Sequence, residues 1–166
     1  MALDLTKAPN RIPWPPLLFA GMAVLAILAE RVAPTAGAPG WLRPLGLGLI
    51  AAGLLLDLWA MATMARARTN ILPHRAADRL VTEGPFRWTR NPIYVGNSTL
   101  LVGIAAAWPS LWMGLAALLA AFAVHHLAVR REEDHLAARF GTDWSHYAAA
   151  TPRWIGRPRP DRQETP

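Results

Sequence analysis

Two adjacent glutamates, Glu132 and Glu133, follow a pair of histidines and a pair of arginines in the stretch "AVHHLAVRREEDHLAARFG". On a helix, residues three or four positions apart share a face, so Glu133 would lie beside Arg130 and His126. Successive residues differ by about 100° around the axis, so the two carboxylates point in different directions. Carboxylates form strong hydrogen bonds with cationic ligand groups. The stretch therefore predicts either a polar ligand site or a solvated helix face.

A second stretch, "EGPFRWTRNPIYVGN" at residues 83–97, leads directly into an apolar run. Pro92 suits the first turn of a helix, where its missing N–H would have no partner anyway. Asn91 is positioned to cap that helix through its side-chain oxygen, and Tyr94 follows one turn later. The stretch therefore predicts a helix that begins at the membrane surface.

This helix start has two interpretations. One is an anchor at the membrane interface, where Arg87 and Arg90 contact lipid phosphates and Trp88 and Tyr94 join the aromatic belt. The other is an anion site, because a helix N-terminus carries free N–H groups and partial positive charge. Arg87 and Arg90 would reinforce such a site.

Four apolar runs position these two stretches. They cover residues 17–33, 44–65, 92–108 and 110–129 of the 166-residue chain, of which 53% is hydrophobic. About 20 apolar residues suffice to span the hydrocarbon core of a bilayer. Trp108 and Pro109 separate the last two runs so closely that these runs must form an antiparallel hairpin. We expect an all-α integral membrane protein with about four transmembrane helices, including this C-terminal hairpin.

Small and polar residues within the runs indicate how the helices pack. Small residues allow helix backbones to approach closely in a membrane. The second run contains Gly46, Gly48, Ala52 and Gly53. Asp57 in the same run, and Asn97 and Ser98 in the third, are polar groups at membrane depth. Each either lines the path of a membrane-embedded substrate or ties helices together by hydrogen bonds.

Basic residues are concentrated on one side of this arrangement. The loop of residues 66–92 and the tail after residue 129 carry most of the 17 lysines and arginines, whereas only Arg31 and Arg43 fall in the opposite loop. Because basic loops stay in the cytoplasm, both termini and both polar stretches are predicted to be cytoplasmic, at the inner membrane. The expected organisation is a cytoplasmic segment at 1–16, one transmembrane domain at 17–158 and a disordered tail at 159–166.

A cleaved signal peptide is the alternative interpretation of the first run. Residues 36–38, "AGA", have the small side chains of a cleavage site. Glu30 and Arg31 interrupt the approach to that site, and Pro39 would follow the cut directly. An uncleaved helix is therefore favoured.

Charge and cysteine content exclude several classes of protein. The net charge of +6 is bunched between apolar runs, which argues against a nucleic-acid partner. The chain has no cysteine, so disulfides, thiolate metal sites and cysteine nucleophiles are excluded, and no metal site is predicted. The oligomeric state stays open.

Together, the two polar stretches resemble the family of isoprenylcysteine carboxyl methyltransferases and phospholipid methyltransferases, which are integral membrane enzymes. The matching pieces are "LVTEGPFRWTRNPIYVG" at 80–96 and "REEDHLAARFGTDWSHYAAATPRWI" at 131–155, separated by a helical hairpin. Any one piece is a weak signal, but all of them in order and at matching separation are specific. The resemblance covers about half of the chain.

The resemblance implies S-adenosylmethionine as methyl donor, bound at the cytoplasmic membrane surface, and a lipid-like acceptor that enters from the bilayer. It implies that a glutamate accepts hydrogen bonds from the donor's amino group or ribose, and that the helix start receives its carboxylate. Aromatic rings, among them Trp144, would cover the adenine. The expected cofactor-binding residues are Arg90, Asn91, Tyr94, His126, Glu132, Glu133 and Tyr147. The expected catalytic residues are Glu133 and Arg130.

Two positions depart from the family pattern. Asn91 stands where the eukaryotic enzymes have histidine, and asparagine cannot exchange a proton near neutral pH. Ala128 stands where eukaryotic relatives have an arginine, so Arg130 or Arg131 would have to hold a carboxylate acceptor. An amine acceptor would instead lose its proton to Glu133, His126 or water. The sequence leaves carboxyl O-methylation and amine N-methylation both open.

Two other functions fit the predicted architecture. A membrane reductase of the steroid-reductase type would bind NADPH at the same cytoplasmic site. A small four-helix multidrug transporter would need an acid near mid-membrane, such as Asp57, and little structure outside the bilayer. The length of the two cytoplasmic stretches counts against the transporter.

Overall fold

The computed structural model describes residues 14–35, 39–70 and 77–156. Its regular structure within these ranges is entirely helical. The helices are α1 (Trp14–Val32), α2 (Leu42–Arg66), α3 (Pro92–Ala107), α4 (Leu111–Val124) and α5 (Arg130–Ala150). A 3₁₀ turn, Gly84–Arg87, precedes α3, and a π-helical turn, His125–Val129, joins α4 to α5.

Some predicted features lie outside the described residues. They are most of the N-terminal segment, the possible cleavage site at 36–38 and the tail at 159–166.

The described helices have the lengths and surfaces of membrane helices. By length and composition, α1, α2 and the continuous helix Leu111–Ala150 can cross a bilayer, and the 16-residue α3 is a shorter apolar helix. Large apolar side chains face outward, including Leu25 at 60% exposure and Leu118 at 68%. Such continuous apolar surface is stable against lipid. The prediction of an all-α integral membrane fold is confirmed.

Helices α2 and α3 cross in direct backbone contact. A Cβ atom added at Gly53 would lie 2.7 Å from the carbonyl oxygen of Gly96, and one at Gly103 would lie 2.9 Å from that of Gly46. On each helix the two glycines are seven positions apart (Gly46 and Gly53 on α2, Gly96 and Gly103 on α3), so both lie on one face of their helix. The crossing brings the start of α3 close to the middle of α2.

Two of the small residues predicted for this contact lie elsewhere. A Cβ at Gly48 would meet nothing within 4 Å, and Ala52 is exposed. The reason is helical phase, because Gly48 points about 200° away from Gly46 at 100° per residue. The prediction is therefore right for Gly46 and Gly53 and wrong for Gly48 and Ala52.

The predicted C-terminal hairpin is formed by α3 and α4. Ser110 begins α4 by accepting a hydrogen bond from the backbone N–H of Met113 at 3.2 Å. Its hydroxyl also donates to Glu30 near the end of α1, and Glu30 accepts from the backbone N–H of Thr35 at 2.6 Å. These bonds fix the end of α1 to the α3–α4 turn, opposite the polar stretches.

Helix α5 continues α4 beyond the apolar core. The continuous helix Leu111–Ala150 has 40 residues, about twice what a bilayer core requires, and its second half carries the charges. Gly141, a residue type that often ends helices, marks a kink within α5. Its φ of +53° favours glycine, and the helix resumes afterwards to Ala150.

Candidate active site

The start of α3 and the polar part of α5 meet at the same end of the helix bundle. The hydroxyl of Tyr94 donates a hydrogen bond to Oε1 of Glu132 at 2.7 Å. The side-chain amide of Asn91 lies 3.4 Å from Oε1 of Glu133. The sequence predicted that these two segments converge, and the structure brings them into contact.

Glu133 is the most heavily bonded acid of this region. It is 7% exposed and receives the guanidinium of Arg153 through Nε at 3.0 Å and Nη2 at 2.6 Å. Nη1 of Arg90 approaches the same carboxylate at 3.4 Å. Paired and charge-assisted hydrogen bonds of this kind are strong and directional. Glu133 therefore joins α5, the start of α3 and the segment after α5.

The segment after α5 folds back onto the residues that precede α3. The backbone N–H of Arg90 donates to the carbonyl of Pro152 at 3.0 Å. The hydroxyl of Thr89 and the side-chain amide of Asn91 both donate to the carbonyl of Arg153 at 3.1 Å. Thr89, Arg90 and Asn91 thus each donate one hydrogen bond to the carbonyl of Pro152 or Arg153. These bonds hold the segment after α5 against the residues that precede α3.

Asn91 does not cap α3 as predicted. Its side chain makes no capping hydrogen bond, and its amide N–H group instead donates to Glu133 and to the carbonyl of Arg153. Pro92 does occupy the first position of α3, as expected. The side chain of Asn91 is thus a link between segments rather than a helix cap.

The two arginines around Glu133 differ in protonation energetics. Burial lowers the pKa of Arg90, although the Glu133 carboxylate opposes this effect. Hydrogen bonding to Glu133 raises the pKa of Arg153, which is more exposed. Both stay protonated at physiological pH because the ordinary pKa of arginine lies far above 7. The two guanidiniums therefore neutralise the carboxylate of Glu133 and leave one net positive charge beside it.

A cavity of about 380 Å³ opens beside this network. Its polar lining includes Asp57, Arg90, Glu132, Glu133 and His135. Its apolar lining includes Phe19 from α1 and Met61 and Met64 from α2. Trp144 forms part of the wall, and the guanidinium carbon of Arg90 lies 5.7 Å from its ring centroid. Pockets for small ligands are typically of this size, with few convergent polar groups.

Comparison with known proteins places the chain in a family. Residues 41–143 match the phospholipid methyltransferase family, which is more than half of the chain. The chain belongs to the phospholipid methyltransferase family. The resemblance inferred from the two polar stretches is confirmed.

Two curated relatives align with this family member. The nickel-cobalt-cadmium resistance protein NccN of Alcaligenes xylosoxydans xylosoxydans is 40% identical over 99 residues, which is 58% of this chain and 46% of the relative. The cobalt-zinc-cadmium resistance protein CzcN of Cupriavidus metallidurans is 34% identical over 118 residues, which is 70% of this chain and 52% of the relative. The chain spans about half the length of the curated relatives it matches.

Two of the residues expected in the methyltransferase site lie outside the cavity. His126 and Arg130 are exposed and do not line it. A π-helical turn holds one residue more than an α-helical turn, so two consecutive residues, Ala128 and Val129, both face the core at 0% exposure. The inward face then continues through Glu133 rather than through Arg130. Regular α-helical spacing could not predict this change of phase.

Tyr147 also lies outside the cavity, although it was expected to bind cofactor. Its side chain is 8% exposed, and its hydroxyl donates to the carbonyl of Phe86 at 2.8 Å. Burial raises its pKa, so it remains a neutral donor. Tyr147 holds the 3₁₀ turn before α3 against α5, while the neighbouring Trp144 lines the cavity.

Arg153, His135 and Phe19 are among the residues of the site that were not singled out from the sequence. Arg153 lies in "TPRWI", a piece of the family pattern, so this motif could have identified Arg153 as a site residue. His135 lines the cavity at 5% exposure, and Phe19 reaches it from α1. Neither His135 nor Phe19 stands in a pattern that the sequence reveals.

Proposed function

We propose that this family member transfers a methyl group from S-adenosylmethionine to a lipid-like acceptor that enters the cavity from the bilayer. The observation that carries the proposal is the cavity itself, where acids, a guanidinium and an indole ring adjoin an apolar wall. The polar part suits the donor, and the apolar part suits a lipid chain. The bound donor would supply an electrophilic methyl group on a sulfonium.

The polar lining matches the charges of the donor. Glu132 is suited to receive the donor's amino group through charge-assisted hydrogen bonds. Nε of Arg90 is buried without a hydrogen-bond partner among the described residues, and it is suited to the donor's carboxylate. The indole of Trp144 offers an apolar face for the adenine. Each of these groups lines the same cavity.

Glu133 takes a positioning role in this proposal rather than the catalytic role first expected. Its two oxygens already receive Arg153, Arg90 and Asn91. It therefore orients Arg90 and fixes the start of α3 against α5. We propose no role for Arg130 or His126 in the reaction, since both are exposed outside the cavity.

Methyl transfer from a sulfonium is an in-line displacement, so holding the acceptor in line supplies much of the acceleration. Phe19 in α1 and Met61 and Met64 in α2 line the cavity within helices that have membrane-spanning composition. A lipid chain can lie along this wall with its head group at the polar end. We propose that this end faces the cytoplasm, because most arginines of the described residues belong to the segments at this end.

The reductase and transporter alternatives are less well supported. The family match favours methyl transfer over nicotinamide chemistry. The ordered network of Glu133 and Arg153 beyond the apolar helices is more than a minimal transporter needs. An acid in the cavity, Asp57 of α2, is nevertheless a feature that the transporter alternative predicts.

The names of the two relatives refer to resistance against metals. Among the described residues, no group of three or more His, Asp or Glu side chains comes together in a way that could hold a metal ion.

Ligand-dependent thermal stability in detergent tests the proposal. A ligand that binds only the folded protein raises the unfolding temperature. S-adenosylhomocysteine should raise it and NADPH should not, and Glu132→Gln should reduce the shift. A shift with NADPH alone would support the reductase instead. Incubating membranes with radiolabelled donor then identifies the methylated lipid.

A further inference from the structure

His135 is a buried histidine of the cavity to which the proposed donor site assigns no role. It lies in α5, lines the cavity and is 5% exposed. Its Nε2 atom is buried and has no hydrogen-bond partner among the described residues. A buried polar atom without a partner costs free energy, and the large majority of such atoms in proteins are hydrogen-bonded. The unpartnered imidazole therefore indicates a ligand group that completes the site.

The position of His135 along α5 places it at the polar end of the cavity. His135 lies three positions after Glu132, so the two side chains share a face of the helix, and both line the cavity. Three residues of helix rise by about 4.5 Å, which is within the length of one small ligand. Helix α5 leads away from the apolar helix α4, so His135 follows Glu132 in the direction of the donor site. The apolar wall for the acceptor is formed instead by α1 and α2.

The ribose is the polar part of the donor that still lacks a partner. In the proposed site Glu132 receives the amino group, Arg90 receives the carboxylate and Trp144 covers the adenine. Glu133 already accepts hydrogen bonds from Arg153. A hydroxyl group both donates and accepts hydrogen bonds, and a neutral imidazole has one N–H donor and one acceptor nitrogen. The ribose hydroxyls and the imidazole are therefore complementary.

The surroundings of His135 keep its imidazole neutral. Burial lowers the pKa of the ring, and the nearby guanidinium of Arg139 lowers it further. A histidine whose pKa lies below the ordinary value of about 6.5 carries no charge at neutral pH. An uncharged side chain suits an uncharged ligand group, which favours a ribose hydroxyl over the carboxylate of the donor.

We propose that His135 binds a ribose hydroxyl of S-adenosylmethionine and is a further donor-binding residue of this chain. This inference rests on the proposed methyl transfer and extends the donor site along α5. The three polar or aromatic contacts from this helix then divide the donor among them, with Glu132 at the amino group, His135 at the ribose and Trp144 at the adenine. The bound ribose supplies the hydrogen-bond partner that the imidazole lacks.

Calorimetry with S-adenosylhomocysteine and its 2′-deoxy and 3′-deoxy analogues tests for a bond to the ribose. The parent chain should bind one of the two analogues about 5- to 10-fold more weakly, as expected for one lost hydrogen bond. His135→Phe keeps an aromatic ring and removes both nitrogens, so it should weaken S-adenosylhomocysteine by a similar factor. The variant should then bind that analogue and S-adenosylhomocysteine within twofold of each other, because the two changes remove the same interaction.

Two further variants separate this contact from other effects. Glu132→Gln should also weaken S-adenosylhomocysteine, but it should retain the full penalty for the deoxy analogue, because Glu132 is proposed to contact the amino group. His146→Phe makes the same change at an exposed position of α5 and should leave all three affinities within twofold. His135→Phe should not lower the unfolding temperature of the ligand-free chain, since the nitrogen that it removes has no partner to lose. A histidine with only a structural role would give the opposite pattern, with lower stability and an unchanged preference for the ribose hydroxyl.

The parent chain alone can overturn the ribose inference, so the test does not depend on the folding of a variant. The inference is wrong if the parent binds both deoxy analogues as tightly as S-adenosylhomocysteine. It is equally wrong if His135→Phe binds S-adenosylhomocysteine within twofold of the parent, or if this variant keeps the penalty for the deoxy analogue. Absence of S-adenosylhomocysteine binding in the parent chain would overturn the methyl-transfer function itself.

Discussion

The hydroxyl of Tyr94 donates a hydrogen bond to Glu132 at 2.7 Å, although 38 positions separate the two residues in the chain. Both residues line the cavity, one from the first turn of α3 and the other from α5. The bond therefore orients an acid of the proposed donor site from α3, the first helix of the hairpin. Donor binding should consequently depend on how α3 is held.

Tyr94→Phe should weaken binding of S-adenosylhomocysteine by about 3- to 10-fold. The substitution keeps the ring and removes one hydrogen bond, and a typical protein hydrogen bond contributes roughly 1 kcal/mol net. Without this donor, Glu132 is less well oriented toward the amino group of the ligand. Isothermal titration calorimetry in detergent measures the change.

Tyr147→Phe is the matched control for Tyr94→Phe. It removes the bond to the carbonyl of Phe86 but lies outside the cavity. It should lower the unfolding temperature and leave affinity within twofold. Equal losses of affinity in the two variants would contradict the separate roles assigned to these tyrosines.

Glu133→Gln should reduce the stability of the fold more than Glu132→Gln does. It removes the charge that pairs with Arg153 and with Arg90, whose side chain is only 13% exposed. The expected loss is about 1–2 kcal/mol, since the partly exposed Arg153 is screened by solvent. Thermal unfolding followed by circular dichroism compares the two variants.

Donor affinity provides the second comparison for the two glutamates. Glu132→Gln should weaken S-adenosylhomocysteine binding with little change in unfolding temperature, because Glu132 is proposed to contact the donor directly. Glu133→Gln should affect both measurements. If Glu132→Gln proved the more destabilising variant, the positioning role of Glu133 would be wrong.

The architecture followed from the sequence where the physical signal was local. Apolar runs predicted the helices because a bilayer demands continuous apolar length. Pro92 predicted the start of α3, and the adjacency of Trp108 and Pro109 predicted the hairpin. Gly46 and Gly53, seven positions apart, carried the signal for the α2–α3 contact, but the same composition also suggested Gly48, which faces away.

The site was predictable only in part because its geometry depends on long-range packing. The meeting of Tyr94 with Glu132 followed from the family pattern. The π-helical turn has no signature in the residue types of "HHLAV", and it rotates the residues that follow relative to α4, so that Glu133 faces inward while Arg130 is exposed. His135 reaches the cavity only through the way α5 packs, which no spacing rule reveals.

Acidification should destabilise the protein in part through His135. Burial lowers the pKa of this histidine, and the nearby Arg139 lowers it further. The unfolded chain then takes up the proton first, near the ordinary pKa of about 6.5, so stability is lost as the pH falls from there toward the lower folded value. His135→Asn should flatten the fall in unfolding temperature between pH 7.5 and 5.5. An unchanged pH dependence would show that other groups are responsible.

The α2–α3 contact should tolerate no side chain at Gly103, whereas Gly48 should accept one. A Cβ at Gly103 would lie 2.7 Å from the backbone nitrogen of Ile50, and relief requires the two helices to separate. Gly103→Ala should therefore cost about 1–3 kcal/mol, as overpacking does. Gly48→Ala meets open space and should be neutral or slightly stabilising, because alanine favours helix.

Thermal unfolding of Gly103→Ala and Gly48→Ala in the same detergent tests whether α2 and α3 cross at these glycines. The affinity of both variants for S-adenosylhomocysteine tests whether the crossing also shapes the cavity. Because Gly96 and Asp57 sit on the same crossing, separating α2 from α3 at Gly103 should also disturb the membrane side of the cavity. Gly103→Ala is thus expected to lose affinity together with stability. Equal unfolding temperatures for Gly103→Ala and Gly48→Ala would mean that the two helices do not meet at these glycines.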